Sequence, residues 1–153
     1  DLVGAANAMQ SAMSIIEEEI KRRGGKKESL GTVVIGTVYG DIHDIGKNMV
    51  VAFLLAEGFE VYDLGVNVSA EEFIEAVKRH KADILAMSAL MTTTAPEQKK
   101  VIEMLKKENL RDKVKVIVGG AAITEEFAQE IEADGYESTA VRAAKLAKKL
   151  IGK

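Results

Sequence analysis

The 153-residue chain has no cysteine and only two histidines. Without a thiol there can be no disulfide, zinc–thiolate centre, iron–sulfur ligation or cysteine nucleophile. His43 and His80 stand far apart in the sequence, so a three- or four-ligand protein site for a bare metal would have to be mostly carboxylate. Lysine and arginine are not gathered into a basic cluster and the formal charge is -3, which argues against nucleic acid as a partner, because phosphate binding needs cations collected on one face. No run of 18 uncharged apolar residues occurs, and the amino end lacks the basic-then-apolar layout of a signal peptide. The expectation is a cytoplasmic protein with no membrane segment. No internal repeat, low-complexity tract or glycine-rich dinucleotide fingerprint interrupts the chain.

What remains is a 47% hydrophobic chain of a size that buries one α/β core and little more. Short β-branched runs alternate with helical spacing. Strands are expected near 32–38, 59–65, 83–88, 114–118 and 135–137, and helices near 46–57, 70–80, 96–109, 124–132 and 139–151. This alternation implies a doubly wound sheet of five parallel strands, and the lack of a dinucleotide fingerprint favours the flavodoxin-like order 2-1-3-4-5.

The first strand, Thr32 to Val38, is continuously apolar, as befits a strand covered on both faces. It runs into Tyr39-Gly40-Asp41-Ile42-His43-Asp44-Ile45-Gly46-Lys47-Asn48 and then an apolar helix. In open α/β sheets ligands bind at the carboxyl ends of strands, where this loop falls. Asp41 and His43 are one residue apart, so both side chains can point the same way, with the carboxylate holding one imidazole nitrogen while the other faces outward. That is the arrangement of a carboxylate orienting a metal-ligating histidine. A metal carried inside a macrocycle would need only this one protein ligand. A lone Asp-x-His-x-x-Gly also suits a histidine that merely caps the next helix.

Further along, 41 residues separate Gly46 from Ser88-Ala89-Leu90, and 28 separate Leu90 from Gly119-Gly120, each at the end of an expected strand. In motif, order and spacing, residues 30 to 152 resemble the cobalamin-binding domain of corrinoid-dependent methyltransferases and mutases. Leu90-Met91-Thr92-Thr93-Thr94, Val118-Gly119-Gly120-Ala121 and Ala133-Asp134-Gly135-Tyr136 look most like the methyl-carrying corrinoid proteins, with methionine synthase a more distant relative.

The resemblance implies a cobalamin or related corrinoid cofactor whose own nucleotide base leaves cobalt and is replaced by His43. Asp41 would accept a hydrogen bond from the other ring nitrogen, and Thr94 would complete the relay. Gly46, Gly119 and Gly120 would leave room for the displaced nucleotide tail, with Ser88 and Thr92 hydrogen-bonded to it and Leu90 and Val118 packed around its base. Ile42, Asp44 and Ile45 belong to the same binding loop, and Tyr136 to Ala140 would reach the corrin edge. The implied protein is a carrier subunit rather than a complete enzyme, cycling between Co(I) and methyl-Co(III). It would serve a donor-specific methyltransferase, an acceptor methyltransferase and a reductive activation protein.

Other readings meet the same pattern. The cobalamin subunit of an adenosylcobalamin-dependent mutase and a non-catalytic cobalamin sensor or storage module share the motif. A P-loop is set aside, because five residues separate Gly40 from Gly46 and Asn48 follows Lys47 where Ser or Thr would hold magnesium. A receiver domain shares the strand order but needs a phosphoacceptor where this chain has Ser88. Standing alone, Gly119-Gly120 would be a strand-ending turn. His80 lies in a charged helix end and is expected to be solvated, without function.

Residues 1 to 23 carry Val3, Ala6, Met9, Met13, Ile16 and Ile20 near helical spacing. They are expected to be the last helix of a helical-bundle cap, followed by a linker at 24–30 and the cobalamin-binding domain at 31–153.

Overall fold

The structure, a computed structural model, describes residues 29–152; the expected cap helix and most of the linker lie outside them. Five strands form one sheet in the order β2-β1-β3-β4-β5, every pairing parallel: β1 (Thr32–Thr37), β2 (Glu60–Asp63), β3 (Ile84–Ser88), β4 (Lys115–Gly119) and β5 (Gly135–Tyr136). Between them run α1 (Ile45–Glu57), α2 (Ala70–His80), α3 (Pro96–Lys107) and α4 (Glu125–Glu130), and α5 (Ala140–Leu150) closes the fold. This is the expected flavodoxin-like arrangement.

Side chains on a strand alternate between its faces, so the continuous apolar runs divide into two cores. Val34, Leu85 and Val116 pack with Phe73, Ile102 and Leu105 on one side. Val33, Ile35, Ile84 and Ile117 pack with Leu54, Ala144 and Ala147 on the other. Each large side chain so buried contributes about 1.5–3 kcal/mol. The α1–α5 side is lined with small residues towards the carboxyl ends of the strands, Ala86 on β3 and Ala143 on α5, which leaves room there.

Local chemistry explains the element ends. Ser69, Thr124 and Thr139 cap α2, α4 and α5 by accepting the N–H groups of Glu72, Phe127 and Arg142. Asp44 precedes α1 at the N-cap position without a side-chain cap hydrogen bond. β2 ends at Asp63, short of the expected residue 65: Asp63 Oδ1 accepts the Gly65 N–H at 2.9 Å, and beyond it the backbone of Leu64 and Gly65 still bonds to Ile35 and Thr37 of β1. α3 stops at Lys107, two residues short of the expected end, where Asn109 takes a left-handed conformation. His80 is half-buried rather than solvated, because the end of α2 packs on the edge strand and stacks its ring on Tyr62 at 3.6 Å.

Parallel pairing brings all carboxyl ends to one edge. Thr37 is in register with Ser88, and Ser88 with Gly119. The crevice of such a sheet opens where the strand order reverses, beside β1 and β3.

Candidate functional site

Beyond β1 the chain turns tightly, the Asp41 N–H donating to the Val38 carbonyl at 3.1 Å. The turn tucks the Asp41 side chain beneath the loop, where it is fully buried. A buried carboxylate is costly unless its lone pairs are taken. Here they are taken four times. Oδ1 accepts the His43 backbone N–H at 3.1 Å and lies 2.7 Å from His43 Nδ1. Oδ2 accepts the Leu90 N–H at 2.8 Å and the Thr94 hydroxyl at 2.7 Å. From the other side Thr37 Oγ1 donates to the His43 carbonyl at 2.9 Å. The loop after β1 is thus tied to the loop after β3 through one carboxylate.

Burial pushes the Asp41 carboxyl up, but the hydrogen bonds from Leu90, Thr94 and His43 outweigh it and bring it down to about 2. Asp41 is therefore an anion near neutrality and can only accept. The contact with Nδ1 then requires the proton on Nδ1, so a neutral His43 carries its lone pair on Nε2. The His43 side chain is 48% exposed, which leaves that nitrogen reachable.

His43 borders a cavity of about 850 Å³ between the sheet edge and α1 and α5. Ile42, Asp44, Ile45 and Gly46 form one wall with it; Ser88, Leu90, Val118, Gly119 and Gly120 form the floor; Tyr136 to Ala140 form the far wall. Asp41 and Thr94 lie behind His43, both buried. Thr92 is the exception among the expected residues. The turn at Met91 has begun to coil, its carbonyl accepting the Thr94 and Ala95 N–H groups, and Thr92 sits exposed on it, outside the cavity.

Two glycines matter for different reasons. A Cβ on Gly120 would lie 1.9 Å from the Ala89 carbonyl oxygen, and its φ of +122° disfavours any side chain, so that position is fixed by the fold itself. A Cβ on Gly46 would meet nothing within 4 Å and would instead occupy cavity space. Ala86, Val50, Ile117 and Ala143 also line the cavity. In the sequence they read as ordinary core, and nothing in residue type marks them otherwise.

The residues present fit a large, mostly apolar ligand that brings its own metal. The cavity is roomy, Gly46 leaves its wall open, and the loop offers one oriented imidazole. Among the described residues no three histidine, aspartate or glutamate side chains gather as ligands for a bare ion. Nor is any described helix long and apolar enough to cross a membrane.

Comparison with known proteins agrees with this fit. The chain is 47% identical over 154 residues to a corrinoid protein of Desulfitobacterium hafniense, spanning all of this chain and 71% of that protein. It is 46% identical over 147 residues to dimethylamine corrinoid protein 3 of Methanosarcina mazei, spanning 96% of this chain and 87% of that one. The solved monomethylamine corrinoid protein of Methanosarcina barkeri superposes with a TM-score of 0.86 at 37% identity, over 95% of this chain and 66% of its own. A chain of the methanol:cobalamin methyltransferase complex from the same organism gives 0.82 at 39% identity, over 97% and 58%. A response-regulator receiver domain of Mycobacterium tuberculosis shares the fold alone, at a TM-score of 0.60 and 20% identity. Residues 31–145 match the B12 binding domain family. The chain belongs to that family, and its cofactor is a cobalamin or related corrinoid.

Proposed function

We propose that this B12-binding chain is the methyl-carrying corrinoid subunit of a methyltransferase system, with His43 as the lower axial ligand of cobalt. The observation that carries the reading is the Asp41–His43 contact of 2.7 Å, which leaves Nε2 as the free donor. Relatives named for dimethylamine and monomethylamine, and a neighbour solved in a methanol:cobalamin methyltransferase complex, support methyl transfer over mutase or storage roles.

When bound, the corrinoid supplies a cobalt that takes up a methyl group as Co(I) and gives it up from methyl-Co(III). The chain's own residues bind, orient and shelter. Asp41 holds the proton on His43 Nδ1 and strengthens Nε2 as a donor. Thr94 and the Leu90 N–H hold Asp41 in place, so the ring keeps its orientation. Gly46, Gly119 and Gly120 would give room to the nucleotide tail, Ser88 and Thr92 would hydrogen-bond it, Leu90 and Val118 would pack around its base, and Tyr136 and Ala140 would meet the corrin edge.

The partners in this reading are a donor-specific methyltransferase, an acceptor methyltransferase and a reductive activation protein. The cytoplasm is the proposed compartment.

The test is the visible spectrum of the protein with hydroxocobalamin, wild type beside His43→Ala, before and after reduction and addition of methyl iodide. A histidine-ligated spectrum lost in the variant, with a light-sensitive methylated product in the wild type, supports the carrier role. Failure to retain any corrinoid contradicts it.

A further inference from the structure

The segment between β2 and α2 holds none of the expected site residues, yet the histidine loop is built against it. The Thr37 N–H donates to the Gly65 carbonyl at 2.9 Å and the Val68 N–H to the Thr37 carbonyl at 3.0 Å. Val38 and Val68 pair as an isolated parallel bridge. Residues 65–68 thus continue the pairing of β1 past its last residue and carry Asn67 to the turn that leads into Asp41.

There Asn67 bonds in both directions. Its Oδ1 accepts the Gly40 N–H at 2.8 Å, and its own N–H donates to the Asp41 carbonyl at 2.9 Å. Gly40 has a φ of +83° and Asn67 a φ of 53°. The second value lies in the left-handed region, which asparagine, aspartate and glycine tolerate better than other residues. Asparagine adds the side-chain acceptor that glycine lacks. Two constraints meet at position 67: a backbone that must be left-handed and an oxygen that must reach Gly40.

The consequence lies one step further along the chain. The Asp41 carboxylate has to meet three fixed groups, the Leu90 N–H, the Thr94 hydroxyl and the His43 ring. Its aim follows from the Gly40–Asp41 backbone, on which Asn67 makes both of its bonds. Gly40 is exposed, so water can replace a lost acceptor there and little stability is at stake. What water cannot supply is the restraint.

We propose that Asn67 is a positioning residue that fixes the Gly40–Asp41 backbone so that Asp41 presents His43 in one tautomer and orientation for cobalt. The inference rests on the assignment of His43 as ligand, and the experiment separates the two. Asn67→Asp keeps both the left-handed tolerance and the acceptor; Asn67→Gly keeps the tolerance alone. Each is read twice, by the nitrogen-15 shifts of the His43 ring in cofactor-free protein and by titration with hydroxocobalamin.

In Asn67→Gly the ring shifts should move from the single Nδ1–H tautomer towards the average of the two, and hydroxocobalamin affinity should fall roughly two- to tenfold, the worth of one hydrogen bond. Asn67→Asp should restore both. A glycine variant matching wild type in both readouts overturns the proposal, and so does an aspartate variant as defective as the glycine one. Should Asn67→Gly not fold, exchange of the Gly40 amide in wild type decides: protection at this exposed position supports the hold, and exchange at the rate of a free amide overturns it. If wild type binds hydroxocobalamin without histidine ligation, the ligand assignment fails while the ring shifts of the cofactor-free protein still judge Asn67.

Discussion

Asp41 and His43 are joined twice, through the ring nitrogen Nδ1 at 2.7 Å and the backbone N–H at 3.1 Å, both to the same carboxylate oxygen. One carboxylate thereby sets the backbone and the ring of the residue that faces the cofactor. Asp41→Asn keeps an acceptor but removes the charge that holds the proton on Nδ1. Histidine ligation of cobalt should weaken by about 10- to 100-fold, the usual effect of removing a ligand's hydrogen-bonded partner. Spectrophotometric titration with hydroxocobalamin checks this.

The same carboxylate couples folding to pH. Its pKa falls from 3.8 to about 2 in the folded chain. A depressed carboxyl stabilises the folded state above its unfolded value, and that stabilisation is lost as pH falls through the folded value. The contribution is on the order of 2 kcal/mol and should vanish between pH about 4 and about 2. Denaturant midpoints of the cofactor-free protein over that range should fall more steeply for wild type than for Asp41→Asn.

The two glycines should separate fold from function. Gly120→Ala places a Cβ against the Ala89 carbonyl at a strained φ and should cost at least about 2–3 kcal/mol. Gly46→Ala meets open space at the start of α1 and should leave stability unchanged or raise it by up to about 1 kcal/mol. Its corrinoid affinity should nonetheless fall. Thermal melts of cofactor-free protein beside cobalamin titrations distinguish the two.

Lys47 is 3% exposed and bonded to both oxygens of Asp63, at 2.8 and 2.7 Å, tying the start of α1 to the end of β2. Asp63 is 34% exposed and can be solvated without its partner. Asp63→Ala leaves a buried ammonium unpaired and should cost about 3 kcal/mol or more; Lys47→Met replaces the buried charge by an apolar chain and should cost about 1 kcal/mol. Urea unfolding of the two variants tests the asymmetry.

The fold was legible because parallel strands buried on both faces leave continuous β-branched runs, as in Thr32 to Val38. The polar half of the site was legible because Asp41, His43, Ser88 and Gly119 keep distinctive types at strand ends. Thr94, expected in the relay, lies on Asp41. The further apolar lining was not legible, since Ala86 and Ile117 look the same whether they face a helix or a ligand. Thr92, expected to hydrogen-bond the nucleotide tail, lies exposed on a turn whose coiling starts at Met91, a placement not written in residue type. Asn67 escaped notice because its importance lies in a left-handed backbone and a contact across 27 residues, neither written in residue type.

The central claim is that cobalt is held by His43. Its most direct test is the electron paramagnetic resonance spectrum of the Co(II) state of the loaded protein, grown with ordinary or nitrogen-15 histidine. The account predicts a nitrogen splitting that changes from triplet to doublet with the labelled histidine and disappears as a histidine signal in His43→Ala. A splitting unaffected by the label would mean that the cofactor keeps its own base on cobalt, and would contradict the account.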